Sequence, residues 1–141
     1  FNCRFGDPEC QPIMSLIDED ILPLMLSCAH GNLRERPIAV KSGAACCVVM
    51  ASGGYPGPIV KGFEIEGLEQ ATDGVVVFQA GTKLASGGVI TNGGRVLGVT
   101  AVSGDIKGAR DLAYSRIETI KFEGASWRND IAWRAIKGEQ R

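Results

Sequence analysis

The sequence predicts an α+β chain: a strand with two short helices, a polar linker, then a small β-rich unit with a largely antiparallel sheet and one long helix. Three observations predict it. Hydrophobic periodicity changes from helical to extended across residues 32–43. Short apolar runs then recur between glycine-rich turns, of which Asn92-Gly93 is the strongest signal. Finally, a stretch opening at Asp105 repeats apolar residues at helical spacing. These changes divide the chain into residues 1–31, a linker at 32–43 and a unit at 44–141.

Phe1 to Phe5 alternates as a strand does, and Gly6-Asp7-Pro8 ends it. Ile13, Met14, Leu16 and Ile17 form an apolar helical patch after Pro12. A second helix is expected from Asp20, whose side chain suits the N-cap and places Pro23 in the first turn, where a missing N–H does no harm. Leu24, Met25 and Cys28 share its face and Gly31 is a natural stop. His30 lies in its last turn, as a solvated residue favoured by the helix dipole or as a base. Asn32 to Ser42 has few apolar residues among Arg34, Glu35, Arg36, Pro37 and Lys41, and reads as a linker.

Ala44 to Met50 is the first buried strand, closed by Ser52 to Gly57, and Val75 to Phe78 the second. Val89 to Thr91 and Arg95 to Val102 read as arms of a hairpin around Asn92-Gly93. In the Asp105 helix, Ile106, Ala109, Leu112, Ala113, Ile117 and Ile120 make one face, while Lys107, Arg110, Asp111, Arg116 and Glu118 are expected to face out. Phe122 to Ile136 is a tail whose Trp127 and Trp133 are expected to dock on the sheet.

Composition narrows the function. The 141 residues are 45% hydrophobic and 22% charged, enough to bury a core, and the net charge is −1. Neither a basic footprint for nucleic acid nor a polybasic membrane patch is present, which leaves small-molecule chemistry or protein contacts. The longest tight apolar run, Ala44 to Ala51, is far short of the roughly 20 residues of a membrane helix. Opening at Phe1 without Met or a visible leader, the chain is expected to be a processed or truncated product. Five cysteines (Cys3, Cys10, Cys28, Cys46, Cys47) and a single histidine make no zinc pattern, so reduced thiols in a reducing cytosol are expected.

The octet Asn2 to Glu9 carries the chemistry. On a strand, Asn2 and Arg4 share one face while Phe1, Cys3 and Phe5 share the other. An amide oxygen can serve as a hard ligand for magnesium, and a guanidinium two residues on can fork onto phosphate. The same pattern suits an edge strand with two solvated polar residues. Farther on, Lys83 in "AGTK" and Arg95 beside the Asn92-Gly93-Gly94 turn are candidate cations for a site rim, or ordinary surface residues. Neither "SGGYPG" nor "TNGGRV" has the lysine and strand–turn–helix context of a nucleotide-binding fingerprint.

The string "FNCRFGDPECQPIM" is similar to the metal-binding end of the ATP-grasp domain in the phosphoribosylamine–glycine ligase family, also called glycinamide ribonucleotide synthetase. Further strings follow in family order: "ASGGYPG", "KGFEIEGLE", "FQAGTKL", "GGVITNGGRVLGVTA" and "FEGASWRNDIAWRAI". Cys10 stands where the family usually has Thr, and Pro23 interrupts a helix that is usually unbroken. The resemblance implies the end of an ATP-grasp domain followed by a small C-terminal domain. It implies the family's reaction: ATP phosphorylates the glycine carboxylate, and the nitrogen of 5-phosphoribosylamine displaces phosphate to give glycinamide ribonucleotide. The cofactors would be ATP and Mg²⁺ or Mn²⁺, and the compartment the cytoplasm. Asn2 would be one metal ligand, partnered by a glutamate expected just before Phe1. Arg4 would steady phosphoryl or acyl-phosphate oxygens. Asp7 would orient substrate or cap the turn at Pro8, Glu9 is a weaker candidate, and Arg95 would close the rim. The chain alone is expected to be inactive without the N-terminal portion of the same polypeptide. Two other readings stand beside it: another purine-pathway ATP-grasp enzyme, which "GDPE" and "AGT" argue against, and a non-catalytic interaction module with an exposed apolar patch.

Overall fold

A computed structural model describes residues 3–139. In chain order its elements are α1 (Cys10–Leu16), α2 (Leu22–Ala29), β1 (Ala44–Ala51), β2 (Val75–Gln79), β3 (Thr82–Ala85), β4 (Gly88–Thr91), β5 (Arg95–Ser103), α3 (Ile106–Ile117) and α4 (Trp133–Glu139). β5 is the organising strand. Val96 to Ala101 are all buried, so it needs partners on both edges, and it pairs antiparallel with β1 on one side and β2 on the other. The register sets Cys46 opposite Ala101, Val48 opposite Val99 and Met50 opposite Leu97. Directly opposite residues share a face, so these six form one apolar surface. Ala109, Ala113 and Ile117 of α3 complete the same buried core. Two alanines on the helix let it approach the sheet closely. Val48, Met50, Val99 and Ile117 have no exposed surface, and each contributes about 1.5–3 kcal/mol of transfer free energy.

The other face of the sheet, with Cys47 opposite Thr100 and Val49 opposite Gly98, is crossed by α1. A two-stranded sheet of β3 and β4 stands apart, turning at Ser86-Gly87. The coarse expectation of an α+β unit with antiparallel sheets thus matches the fold. Asp105 caps α3 as expected: it is extended at φ −146°, and its carboxylate accepts from the Gly108 N–H at 2.6 Å. At the second helix, Asp20 accepts from the Leu22 N–H at 2.9 Å, and Gly31 ends the segment at φ +67°.

Four expectations are corrected. Cys3 to Phe5 form no strand: the larger sheet takes only β1, β5 and β2, and the N-terminal leg is directed over it into α1. An unpaired strand has nowhere to place its backbone hydrogen bonds. Asn2 lies outside the described residues. The Asn92-Gly93 hairpin is absent: β4 pairs with β3 while β5 joins the larger sheet. The turn instead crosses between sheets, with the Asn92 N–H donating to the Gly81 carbonyl at 2.7 Å and the Gly81 N–H to the Arg95 carbonyl at 2.8 Å. A Cβ at Gly81 would meet Gly93 Cα at 2.7 Å, so that crossing needs glycine. Arg116, expected to face out, is buried; its Nη2 donates to the Gly67 carbonyl at 2.7 Å and its Nη1 to Thr119 Oγ1. Trp133 is 41% exposed on α4 with Arg134 and Lys137 over its ring at 5.1 and 5.0 Å, whereas Trp127 is half-buried against the core.

Candidate functional site

The Gly6-Asp7-Pro8 turn brings the N-terminal leg to the start of β5, where Arg95 is the first residue. There Arg95 grips Asp7 at two points: Nη1 donates to the Asp7 carbonyl at 3.0 Å, and Nη2 lies 3.2 Å from Oδ2. The other carboxylate oxygen, Oδ1, accepts from Gln11 Nε2 at 3.0 Å, in the first turn of α1. Both partners of the ion pair are nearly half exposed, so the pair itself is worth about 0–1 kcal/mol. Its significance is geometric, because it fixes the start of the chain to a strand 88 residues later.

Beside the clamp lies a cleft of about 400 Å³ whose walls include Pro8, Cys47, Tyr55, Arg95, Trp127 and Arg128. It is an apolar trough with cations at its margin. Arg128 is held there by Asp130 at 2.9 and 2.7 Å, and the paired guanidinium keeps the Asp130 carboxyl below its ordinary range. Among the described residues Gln11 Oε1 is a buried acceptor without a hydrogen-bond partner, and the buried Thr100 hydroxyl faces only the Cys47 thiol. Burial pushes the Cys47 thiol up and the neighbouring Cys46 thiol to about 11. Both therefore stay protonated near neutral pH, which is the opposite of a poised nucleophile.

Of the residues singled out from sequence, Asp7 and Arg95 come together. Arg4 does not join them: it is exposed and donates to the neighbouring Phe5 carbonyl at 3.4 Å. Lys83 stands exposed on β3 and His30 exposed at the end of α2, neither of them lining the cleft. Sequence reasoning missed Gln11, Tyr55 and Arg128. Gln11 had a usable signal, because it sits four residues after Asp7 at the spacing that pairs side chains on a helix. The described residues do not make a magnesium site. No group of three or more His, Cys, Asp or Glu is gathered among them, and both Asp7 carboxylate oxygens already face donors.

A second groove, of about 430 Å³, opens between α2 and residues 33–38, and its walls include Phe5, Ile21, Leu24, Met25, Leu33 and Ile38. Glu19 braces this region from the α1–α2 connection: it accepts from Arg36 at 3.2 and 2.6 Å and from the Ala39 N–H at 2.7 Å, and the guanidinium holds its carboxyl below the usual range.

Comparison with known proteins follows the same outline. Residues 45–134 match the family described as phosphoribosylglycinamide synthetase, C domain. The phosphoribosylamine–glycine ligase of Phenylobacterium zucineum (strain HLK1) is 49% identical over 96% of this chain and 33% of its own length. The trifunctional purine biosynthetic protein adenosine-3 of Bos taurus is 50% identical over 96% of this chain and 14% of its own. The crystal structure of phosphoribosylamine–glycine ligase from Thermotoga maritima superposes with a TM-score of 0.77 at 34% identity, covering 92% of this chain and 32% of that one. The chain thus spans about a third of the length of the ligases it matches.

Proposed function

This chain belongs to the phosphoribosylglycinamide synthetase C-domain family, and from that premise we propose that it is the C-terminal part of an ATP-dependent ligase joining glycine to 5-phosphoribosylamine. The reaction makes glycinamide ribonucleotide, ADP and phosphate through a glycyl phosphate. The observation that carries the reading is the clamp of Arg95 and Gln11 on Asp7, which ties the leg bearing Arg4 to the wall of the cleft.

The reaction asks a protein for charge neutralisation and positioning more than for covalent help. Arg4 supplies the first: its guanidinium is exposed and, among the described residues, bonds only to a main-chain carbonyl, so its fork is open to phosphoryl oxygens. Arg95 and Asp7 supply the second, by holding the Gly6 turn and with it the direction in which the leg leaves the sheet. Asn2 is the proposed metal ligand by resemblance alone, and no step is routed through a metal here. ATP and Mg²⁺ or Mn²⁺ would be gathered mostly by the rest of the polypeptide. No helix among the described residues is long and apolar enough to cross a membrane. The proposed compartment is the cytoplasm, although the name of the Arabidopsis thaliana relative calls that protein chloroplastic.

The test uses the Phenylobacterium zucineum ligase with this chain in place of its matching third. Arg4→Ala in that hybrid should slow ADP formation from ATP, glycine and phosphoribosylamine by about 100-fold, the cost of removing one donor from a developing charge. Its melting temperature should not change. The 141-residue chain alone should form no ADP. Undiminished turnover in the Arg4 variant, or ligation by the isolated chain, would refute this reading.

A further inference from the structure

Gln11 holds a polar side chain where packing asks for an apolar one. It sits in the first turn of α1, which crosses the face of the sheet that carries Cys47, Gly98 and Thr100. Gly98 lies in the middle of β5, where glycine weakens a strand and often marks the close approach of another group. A Cβ built there would lie 3.4 Å from Cys47 Sγ, 3.9 Å from Phe78 Cβ and 3.9 Å from Gln11 Nε2. A side chain reaching beyond Cβ would therefore run into the amide, and its absence leaves the socket in which that amide is seated. An apolar residue would fill the socket without stranding an oxygen. Gln11 instead leaves its Oε1 buried with no hydrogen-bond partner among the described residues, an arrangement that destabilises a fold and calls for a reason.

The reason is Asp7. A carboxylate only accepts, so the amide must turn Nε2 toward Asp7 Oδ1, 3.0 Å away, and its own oxygen is left on the buried side. Arg95 takes Asp7 Oδ2 and the Asp7 carbonyl. The carboxylate is thus held from two elements at once, α1 and β5. Without the amide it would be held only by Arg95, through an exposed ion pair that by itself fixes little. We propose that Gln11 is a positioning residue for the ligation, kept at a cost in stability because its amide fixes the Asp7 carboxylate against Arg95 and with it the direction of the leg that carries Arg4. It acts through Asp7 and touches no substrate itself. This rests on the functional reading above and adds to it the residue that sets the aim of the leg.

Gln11→Met keeps the length of the side chain and removes both polar atoms. In the isolated chain the melting temperature of this variant should hold or rise. The Cys10 amide, which donates to the Gly6 carbonyl at 2.8 Å across the turn, should still exchange its hydrogen about 10-fold faster, because the turn is no longer held from the helix. In the hybrid ligase described above, the same variant should lower kcat about 10-fold and leave the KM for ATP unchanged, as misplaced rather than missing groups do. Gln11→Glu supplies a further readout. The new carboxyl can donate to Asp7 only when protonated, so the deficit of this variant should be largest at alkaline pH and shrink as the pH falls. The charged and titratable groups around that position are Asp7 on the turn, Glu9 and Cys10 at the head of α1, Cys47 of β1 and Arg95 of β5. A Gln11→Met profile run in parallel contains all of them and removes their own titration from the comparison.

A Gln11→Met melting temperature lower by more than about 3 °C would make the residue a determinant of the fold and overturn the proposal. An unchanged Cys10 exchange rate, an undiminished kcat or a Gln11→Glu deficit indifferent to pH would also overturn it. The melting and exchange readouts need no ligation, so they decide even for an inactive hybrid. If Arg4→Ala leaves turnover undiminished while Gln11→Met lowers it, the functional reading fails in its role for Arg4. If Arg4→Ala slows turnover and Gln11→Met does not, the positioning role of Gln11 fails alone.

Discussion

At the scale of single residues, Arg116 shows most sharply where identity misleads and position does not. Its charge marks it as a surface residue, and it is 3% exposed. Yet Ala109, Ala113 and Ile117 lie seven and three residues before it and one after, so it sits on the buried stripe that helical spacing defines. The guanidinium is satisfied there by the Gly67 carbonyl and Thr119, and Gly67 can pass so close because it has no side chain: a Cβ would lie 2.1 Å from the Thr119 carbonyl oxygen. Arg116→Ala should therefore remove two hydrogen bonds, strand a buried carbonyl and cost about 2–3 kcal/mol. A urea midpoint shift with unchanged slope would measure it, and a loss under about 0.5 kcal/mol would show that Arg116 is not what holds the Gly67 loop. Asp7 and Arg95 illustrate the opposite case. Each was legible singly from its neighbours in sequence, but nothing in the spacing of two residues 88 apart could say that they touch.

At the scale of elements, legibility followed how local the determinants are. α3 was readable because its cap, its apolar stripe and its polar face all lie within one stretch of chain. The same locality makes its start testable. Asp105→Ala removes the acceptor for the Gly108 N–H and should cost about 1 kcal/mol, while Asp105→Asn should retain most of the stability. Thermal unfolding of the two variants would compare them, and equal losses would mean that the carboxylate charge rather than the cap bond is what matters. The strands were less legible because their partners are distant. Asn92-Gly93 is a strong hairpin signal, but a hairpin there would occupy one edge of β5 with the four-residue β4. Pairing β5 with the eight residues of β1 and the five of β2 buries far more apolar surface, and that tertiary preference overrides the turn. Cys3 to Phe5 make a related case: alternation can propose a strand, but only pairing with a neighbour makes one, and these residues pair with none among the described residues.

At the scale of the whole molecule, the chain carries two kinds of structure with different means of support. Residues 44–134 close their own core, with β1, β5 and α3 burying one another. Among the described residues, residues 3–41 rest on that core through α1 and the Asp7 clamp, and α2 is held by the Asp20 hydrogen bond to its first turn and the Glu19 brace beside it. Surface bonds of that sort add little and open easily. Local opening free energies should therefore fall into two tiers in the isolated chain. Native-state hydrogen exchange should find the amides of Val48, Val99 and Ile117 protected close to the global unfolding free energy, and those of Leu24 to Ala29 exchanging orders of magnitude faster. If α2 is as protected as β5 in the isolated chain, the helix is supported by this chain alone. The sequence could not have shown this division. It shows the apolar face of α2 plainly, but a face reads the same whether or not this chain supplies the partner that covers it.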